Sequence, residues 1–121
     1  MSNTDSSNGY VEFFEGNDCT EDRLGSVPYL AGGYDLRDNQ PIMNDEARSL
    51  RLVNAKPGII KLYDTPGGKV DADWAEILVL REVSTQDIGS FNTAFNNGLV
   101  QVIPHGGNLD GKVSHIEVIP T

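Results

Sequence analysis

The chain has 121 residues, 38% of them hydrophobic, and a formal net charge of −9. That length suits one domain with a lean core, and no apolar run approaches the ~20 residues of a membrane-spanning helix. The acidic balance, with no basic patch to offset it, argues against nucleic acid as a partner and suits solubility, cations or basic partners.

Met1 to Gly9, MSNTDSSNG, has neither the positive n-region nor the apolar h-region of a secretory signal. It reads as a disordered polar leader; a cytoplasmic setting is favoured, with the mature segment of a secreted precursor as the open alternative. Cys19 is the single cysteine. An intramolecular disulfide is therefore excluded, in keeping with a reducing compartment. Nothing beside Cys19 in sequence would activate its thiol, so it reads as a small, partly buried residue near a turn.

The first strand is expected over Val11 to Glu15, with Val11 and Phe13 on one face and Glu12 and Phe14 on the other. Gly16-Asn17-Asp18 turns the chain. Arg23 to Tyr29 follows as a short strand, with Pro28 placing it at an edge or at a strand end. Gly32-Gly33 breaks it, and Tyr34 to Arg37 is a third strand. Asp38 to Pro41 is loop chemistry leading to NDEARSLRLV, Asn44 to Val53. There Ser49 to Asn54 forms the fourth strand, and Lys56-Pro57-Gly58 turns the chain.

The second half begins with IIKLYD, Ile59 to Asp64, which aligns on the first strand at an offset of 49. Thr65 to Gly68 is a strong turn. Trp74 to Val83 reads as one long strand, because Ile77 to Leu80 is apolar on both faces and lacks a polar helical side. A turn of helix is expected near Asp87 to Phe91. Asn97-Gly98 turns into Leu99 to Ile103, and Val113 to Ile119 is the last strand. DGKVSHIEV, Asp110 to Val118, aligns without a gap on Asn44 to Leu52 at an offset of 66. The two offsets differ by 17 residues (66 less 49), which are assigned to the region around Trp74 to Val83 and the loop after it.

About eight short strands in two similar sets of four, without βαβ units, predict an all-β fold. The expected architecture is an antiparallel β-sandwich of two Greek-key motifs, about 10–56 and 57–121. Phe13, Leu50, Leu52, Leu62, Trp74, Val102, Ile116 and Val118 should fill its core.

This pattern resembles the βγ-crystallin family over about Tyr10 to Ile119. The resemblance rests on an aromatic-acidic first strand in each half (FFE, then LYD) and a loop before each fourth strand. That loop runs Asn/Asp, Asn/Asp, any, any, Ser/Thr, Ser. NDEARSLRL matches it at Asn44, Asp45 and Ser49; DGKVSHIEV matches at Asp110 and Ser114. The family implies a non-catalytic sandwich that often binds Ca²⁺ through backbone carbonyls and one hydroxyl per site. Carried over by position, the carbonyls are those of Glu15, Glu46, Asp64 and Lys112, and the hydroxyl is that of Ser114. Asn44, Asp45 and Asp110 would shape the loops.

Three positions depart from the pattern. Arg48 stands where the first motif needs its hydroxyl ligand; a guanidinium only donates, so it disables that position and could occupy the cation's place. Gly111 and His115 replace the second acidic residue and the final serine of the second motif. A unit charge near a divalent ion, at ~4 Å and an effective dielectric of ~20, costs about 8 kcal/mol as an upper illustration. The expectation is at most one weak Ca²⁺ site, the one using Ser114. The plain alternative is that Ser49 and Ser114 bond only to neighbouring backbone.

No enzyme is expected. His105 and His115 are the only imidazoles. Ser114 and His115 are adjacent on a strand and point to opposite faces. Asp71 and Asp73 read as a solvated acidic edge. No GxSxG, HExxH, CxxC or phosphate-cradling loop occurs. The alternative function is a protein-binding or proteinase-inhibitor-like module that uses the expanded second-motif loops for a partner or a homodimer.

Overall fold

Strand β1 (Tyr10–Phe14) shows the period-two logic directly: Val11 and Phe13 are fully buried, and Glu12 faces outward. The computed structural model describes residues 9–35, 46–64, 73–106, 109 and 111–120. β2 is Arg23–Pro28, β3 Gly32–Asp35, β4 Ser49–Ala55 and β5 Gly58–Tyr63. β6 is Trp74–Val79, β7 Val83–Ile88, β8 Phe95–Asn96, β9 Val100–His105 and β10 His115–Pro120.

The strands form two antiparallel sheets packed as a sandwich. One has the order β2-β1-β4-β7, the other β3-β10-β5-β6-β9-β8. The connectivity is a reciprocal exchange. β3 leaves the first set to pair with β10, and β7 leaves the second set to pair with β4. Pro28 ends β2, an edge strand, where its missing N–H costs no ladder bond. Gly9 lies inside the fold, although the sequence places it in the leader: it is buried, and its carbonyl accepts from Tyr29 N at 2.9 Å.

One continuous core joins the inner faces of both sheets, with Phe13, Leu50, Leu52, Ile60, Leu62, Ile77, Val102, Ile116 and Val118 among its members. Trp74 is not part of it. It pairs with Tyr63 on the outer face of the six-stranded sheet, because Ala75, Ile77 and Val79 take the inward phase of β6.

The run Trp74 to Val83 is not one strand. It breaks at Leu80-Arg81-Glu82, where the chain crosses from one sheet to the other. Leu80 is 43% exposed, and the Leu80 and Arg81 amides both reach Leu99 O, at 2.8 and 3.4 Å. The apolar look of both faces has a simple cause: Leu78 lies half-covered on the outer face while Ile77 and Val79 enter the core. The segment expected as a helical turn near Asp87 begins inside β7, and Gly32-Gly33 belongs to β3 rather than breaking the chain.

Ten strands are present among the described residues, the additional pairing being β8 with β9. Asn97-Gly98 makes their turn, as expected. Asn97 Oδ1 accepts from Leu99 N and Val100 N, Asn96 Oδ1 accepts from Gly98 N, and Gly98 has φ 85°. This hairpin follows β7, so most of the extra length of the second half lies between β7 and β10, in the stretch after Val83 that the sequence reading includes, and none of it in β6. The expected turn at 65–68, and Asn44, Asp45, Asp71 and Asp110, lie outside the described residues.

Candidate functional site

The two motifs close their first hairpins in the same way. Glu15 N donates to Asp22 O at 2.9 Å, and Asp64 N to Asp73 O at 3.0 Å. The fifth position of each acidic loop then docks on the last residue of its first strand. Arg48 N donates to Phe14 O at 2.9 Å, and Ser114 N to Tyr63 O at 2.9 Å. The sequence offsets of 66 and 49 map one bond onto the other.

Glu15 therefore lies beside Arg48, and Asp64 beside Ser114. The Ser114 hydroxyl, 3% exposed, donates to the Asp64 carbonyl. The two loops also meet each other. Gly111 N donates to Ala47 O at 2.9 Å, and Lys112 N to Leu109 O at 3.0 Å. The first of these bonds joins the two loops and sets the backbone of Ala47 beside that of Gly111; the second closes a turn within the second loop.

As a cation site this arrangement is thin. Ca²⁺ takes six to eight hard oxygens. The described residues hold no group of three or more His, Cys, Asp or Glu side chains able to hold a metal ion. Asp64 O and Ser114 Oγ, both neutral, are the two candidate oxygens seen in contact. Glu46 and Lys112 are exposed, and only their carbonyls would serve. In the corresponding position of the first motif Arg48 is exposed and offers only donors. Asp64 O and Ser114 Oγ supply two of the six to eight oxygens that Ca²⁺ takes, and they are bonded to each other; at Glu15 and Arg48 the side chain at the hydroxyl position offers no oxygen at all.

Ser49, at the sixth loop position, bonds to backbone as the plain alternative expects, but to a turn thirty or more residues earlier rather than to its sequence neighbours. Ser49 is fully buried. Its hydroxyl donates to Gly16 O at 2.6 Å and accepts from Cys19 N at 2.8 Å. It clamps the turn between β1 and β2, where Asp18, Cys19 and Glu21 all have positive φ. Its counterpart, His115, cannot repeat that clamp. The His115 ring packs against Tyr63, with centroids 5.8 Å apart at 54°. A Cβ at Gly33 would lie 3.2 Å from it.

From Tyr63 a row of rings crosses the outer face of the six-stranded sheet. Tyr63 stacks on Trp74 at 5.8 Å, and Trp74 on His105 at 4.1 Å. Glu76 Oε1 lies 3.0 Å from His105 Nε2, and Tyr63 donates to Glu117. These neighbours arise from strand register (Tyr63 opposite Trp74, Trp74 opposite His105), which single-strand reading does not supply. Cys19 has the bland character expected of it. Its thiol donates to Leu50 O, and burial, with the nearby Asp87 charge, pushes its pKa up to about 11.

Compared with known proteins, the chain matches no family model, no curated protein and no solved structure.

Proposed function

We propose that this protein is a non-catalytic structural module of the βγ-crystallin type, with degenerate Ca²⁺ motifs and at most one weak site. The observation that carries this reading is the equivalence of Arg48 N to Phe14 O with Ser114 N to Tyr63 O. It gives both acidic loops the same seat on their first hairpins, and the exchange of β3 and β7 between sheets accords with it. In the Ser114 half a carbonyl and a hydroxyl already touch. In the other half a permanent cation replaces the hydroxyl, so Coulomb repulsion of Ca²⁺ adds to the loss of an oxygen.

Calorimetric titration of chelator-stripped protein with Ca²⁺ tests this reading. Wild type is expected to bind weakly at one site, Ser114→Ala not at all, and Arg48→Ser more tightly or at two sites. Silence from all three proteins removes Ca²⁺ from the reading.

A protein-binding or proteinase-inhibitor-like module is the second reading. It is favoured by the inserted β8–β9 hairpin, where Phe95 is 44% and Leu99 38% exposed, with Leu80 alongside at 43%. Exposed large apolar side chains on and next to an inserted hairpin suit a partner surface. Concentration-dependent sedimentation, with Phe95→Ser and Leu99→Ser as controls, detects a homodimer formed through this hairpin.

A further inference from the structure

The inserted hairpin stands beside β7 and encloses a cleft of about 350 Å³ between the edges of the two sheets, roofed by the turn between β1 and β2. Its wall is apolar: Ile88 and Val102, each 2% exposed, and the more open Phe95. The rim carries Asp18, Asp87 and Thr93. The two carboxylates differ. Asp87 already receives Arg51, whose Nε lies 2.6 Å from Oδ1. Asp18 has no such cation among the described residues.

The turn delivers Asp18 to this rim. Its φ is 59°, its N–H donates to Gly89 O at 2.9 Å, and its carboxylate lies over Gly89, where a Cβ would overlap Oδ1. Glycine at 89 is what allows the carboxylate to reach the cleft. The result is an apolar wall with an exposed carboxylate at its mouth that no cation among the described residues compensates.

We propose that this cleft binds a small aliphatic monoamine in its ammonium form, with the ammonium on Asp18 and the alkyl body against Ile88, Phe95 and Val102. The volume is at the low end for ligand pockets, which suits a small molecule. An anion is repelled by Asp18 and by the net charge of −9. A second positive centre on the ligand would meet Arg51, already seated on Asp87. The same chemistry is presented by a free alkylamine and by a lysine side chain. The proposal does not rest on Ca²⁺ binding, and its test is run without calcium.

The test is methyl NMR of the calcium-free protein titrated with n-butylammonium chloride, n-butanol and a capped Gly-Lys-Gly peptide. Saturable shifts at the Ile88 and Val102 methyls are expected with n-butylammonium, with n-butanol weaker by about fivefold or more, as loss of a charged hydrogen bond requires. Asp18→Asn should weaken n-butylammonium by a similar factor, and asparagine tolerates the same left-handed backbone. Phe95→Ala, at an exposed position that leaves the core intact, should weaken it independently. Tighter binding of the peptide than of n-butylammonium supports the proposal with a protein lysine as the source; the reverse order supports it with a free amine. Equal binding of n-butanol, an unchanged affinity in Asp18→Asn, or the absence of saturable shifts overturns it.

Discussion

Replacing Ser49 with alanine should unlatch the first hairpin from β4. The hydroxyl makes two bonds in a fully buried setting, to Gly16 O and from Cys19 N. Each is worth about 1 kcal/mol net, and the buried Gly16 carbonyl then loses its partner at a further cost of about 1 kcal/mol. Relaxation of the left-handed Asp18, Cys19 and Glu21 returns a part of that. The expected loss is roughly 2–3 kcal/mol, a shift of roughly 1–2 M in the urea midpoint. Urea unfolding followed by the fluorescence of Trp74, which stacks on Tyr63 and His105, measures it. Ser114→Ala is the internal comparison, since that hydroxyl makes a single bond, to Asp64 O, and should cost about 1 kcal/mol. A Ser49→Ala midpoint indistinguishable from wild type, or a smaller loss than for Ser114→Ala, would refute the reasoning.

Other perturbations test the packing and the electrostatics. Gly58→Ala should cost more than about 2 kcal/mol by thermal unfolding, because the new Cβ meets Tyr29 Oη at 2.5 Å, Ile119 O at 2.8 Å and Pro120 Cα at 2.9 Å. Trp74→Ala, on the outer face rather than in the core, should cost about 1–2 kcal/mol, less than the 3–5 kcal/mol typical of a buried tryptophan, as judged by urea midpoints. Stability should fall as pH rises above 9, because the folded state keeps the Cys19 proton up to about 11 where the unfolded chain releases it near 9.0. Tyr29, pushed up to about 12 by burial, continues the fall. Melting curves between pH 8 and 11 should show a shallower decline for Cys19→Ala than for wild type. Arg51→Ala should cost about 1 kcal/mol or less, combining a surface pair with Asp87 and a contact over the Phe14 ring, and added salt should shrink the difference.

The halves of the fold were legible because they repeat. The echo of Asn44–Leu52 at Asp110–Val118 located β4 and β10, and FFE against LYD located β1 and β5. Local alternation then named seven of the eight expected core residues. Trp74 failed because its phase is set by Ala75, Ile77 and Val79, small and branched residues that fit the inner face better than an indole. The break at Leu80 was hidden for a related reason: a strand leaving one sheet for another stays apolar on both sides of the crossing. Only Arg81-Glu82 marks it, and two charges weigh little against an apolar run. Of the site, the neighbourhood of Asp64 and Ser114 was readable from position. The clamp made by Ser49 and the cleft under Asp18 were not, since both join residues far apart in sequence, Ser49 to Gly16 and Asp18 to Gly89.

The reciprocal loan of β3 and β7 makes the two halves thermodynamically inseparable. A chain cut near Pro57 would leave β2-β1-β4 without its fourth strand, and β10-β5-β6 with an open edge where β3 belongs. Each fragment exposes an unpaired ladder that the other completes. Two fragments mixed together therefore have a specific reason to associate, and two intact chains can exchange halves by the same pairing. The exchange of strands makes a single folding unit in which long-range pairings must form together, so its folding should be slow for its size and its unfolding all-or-none.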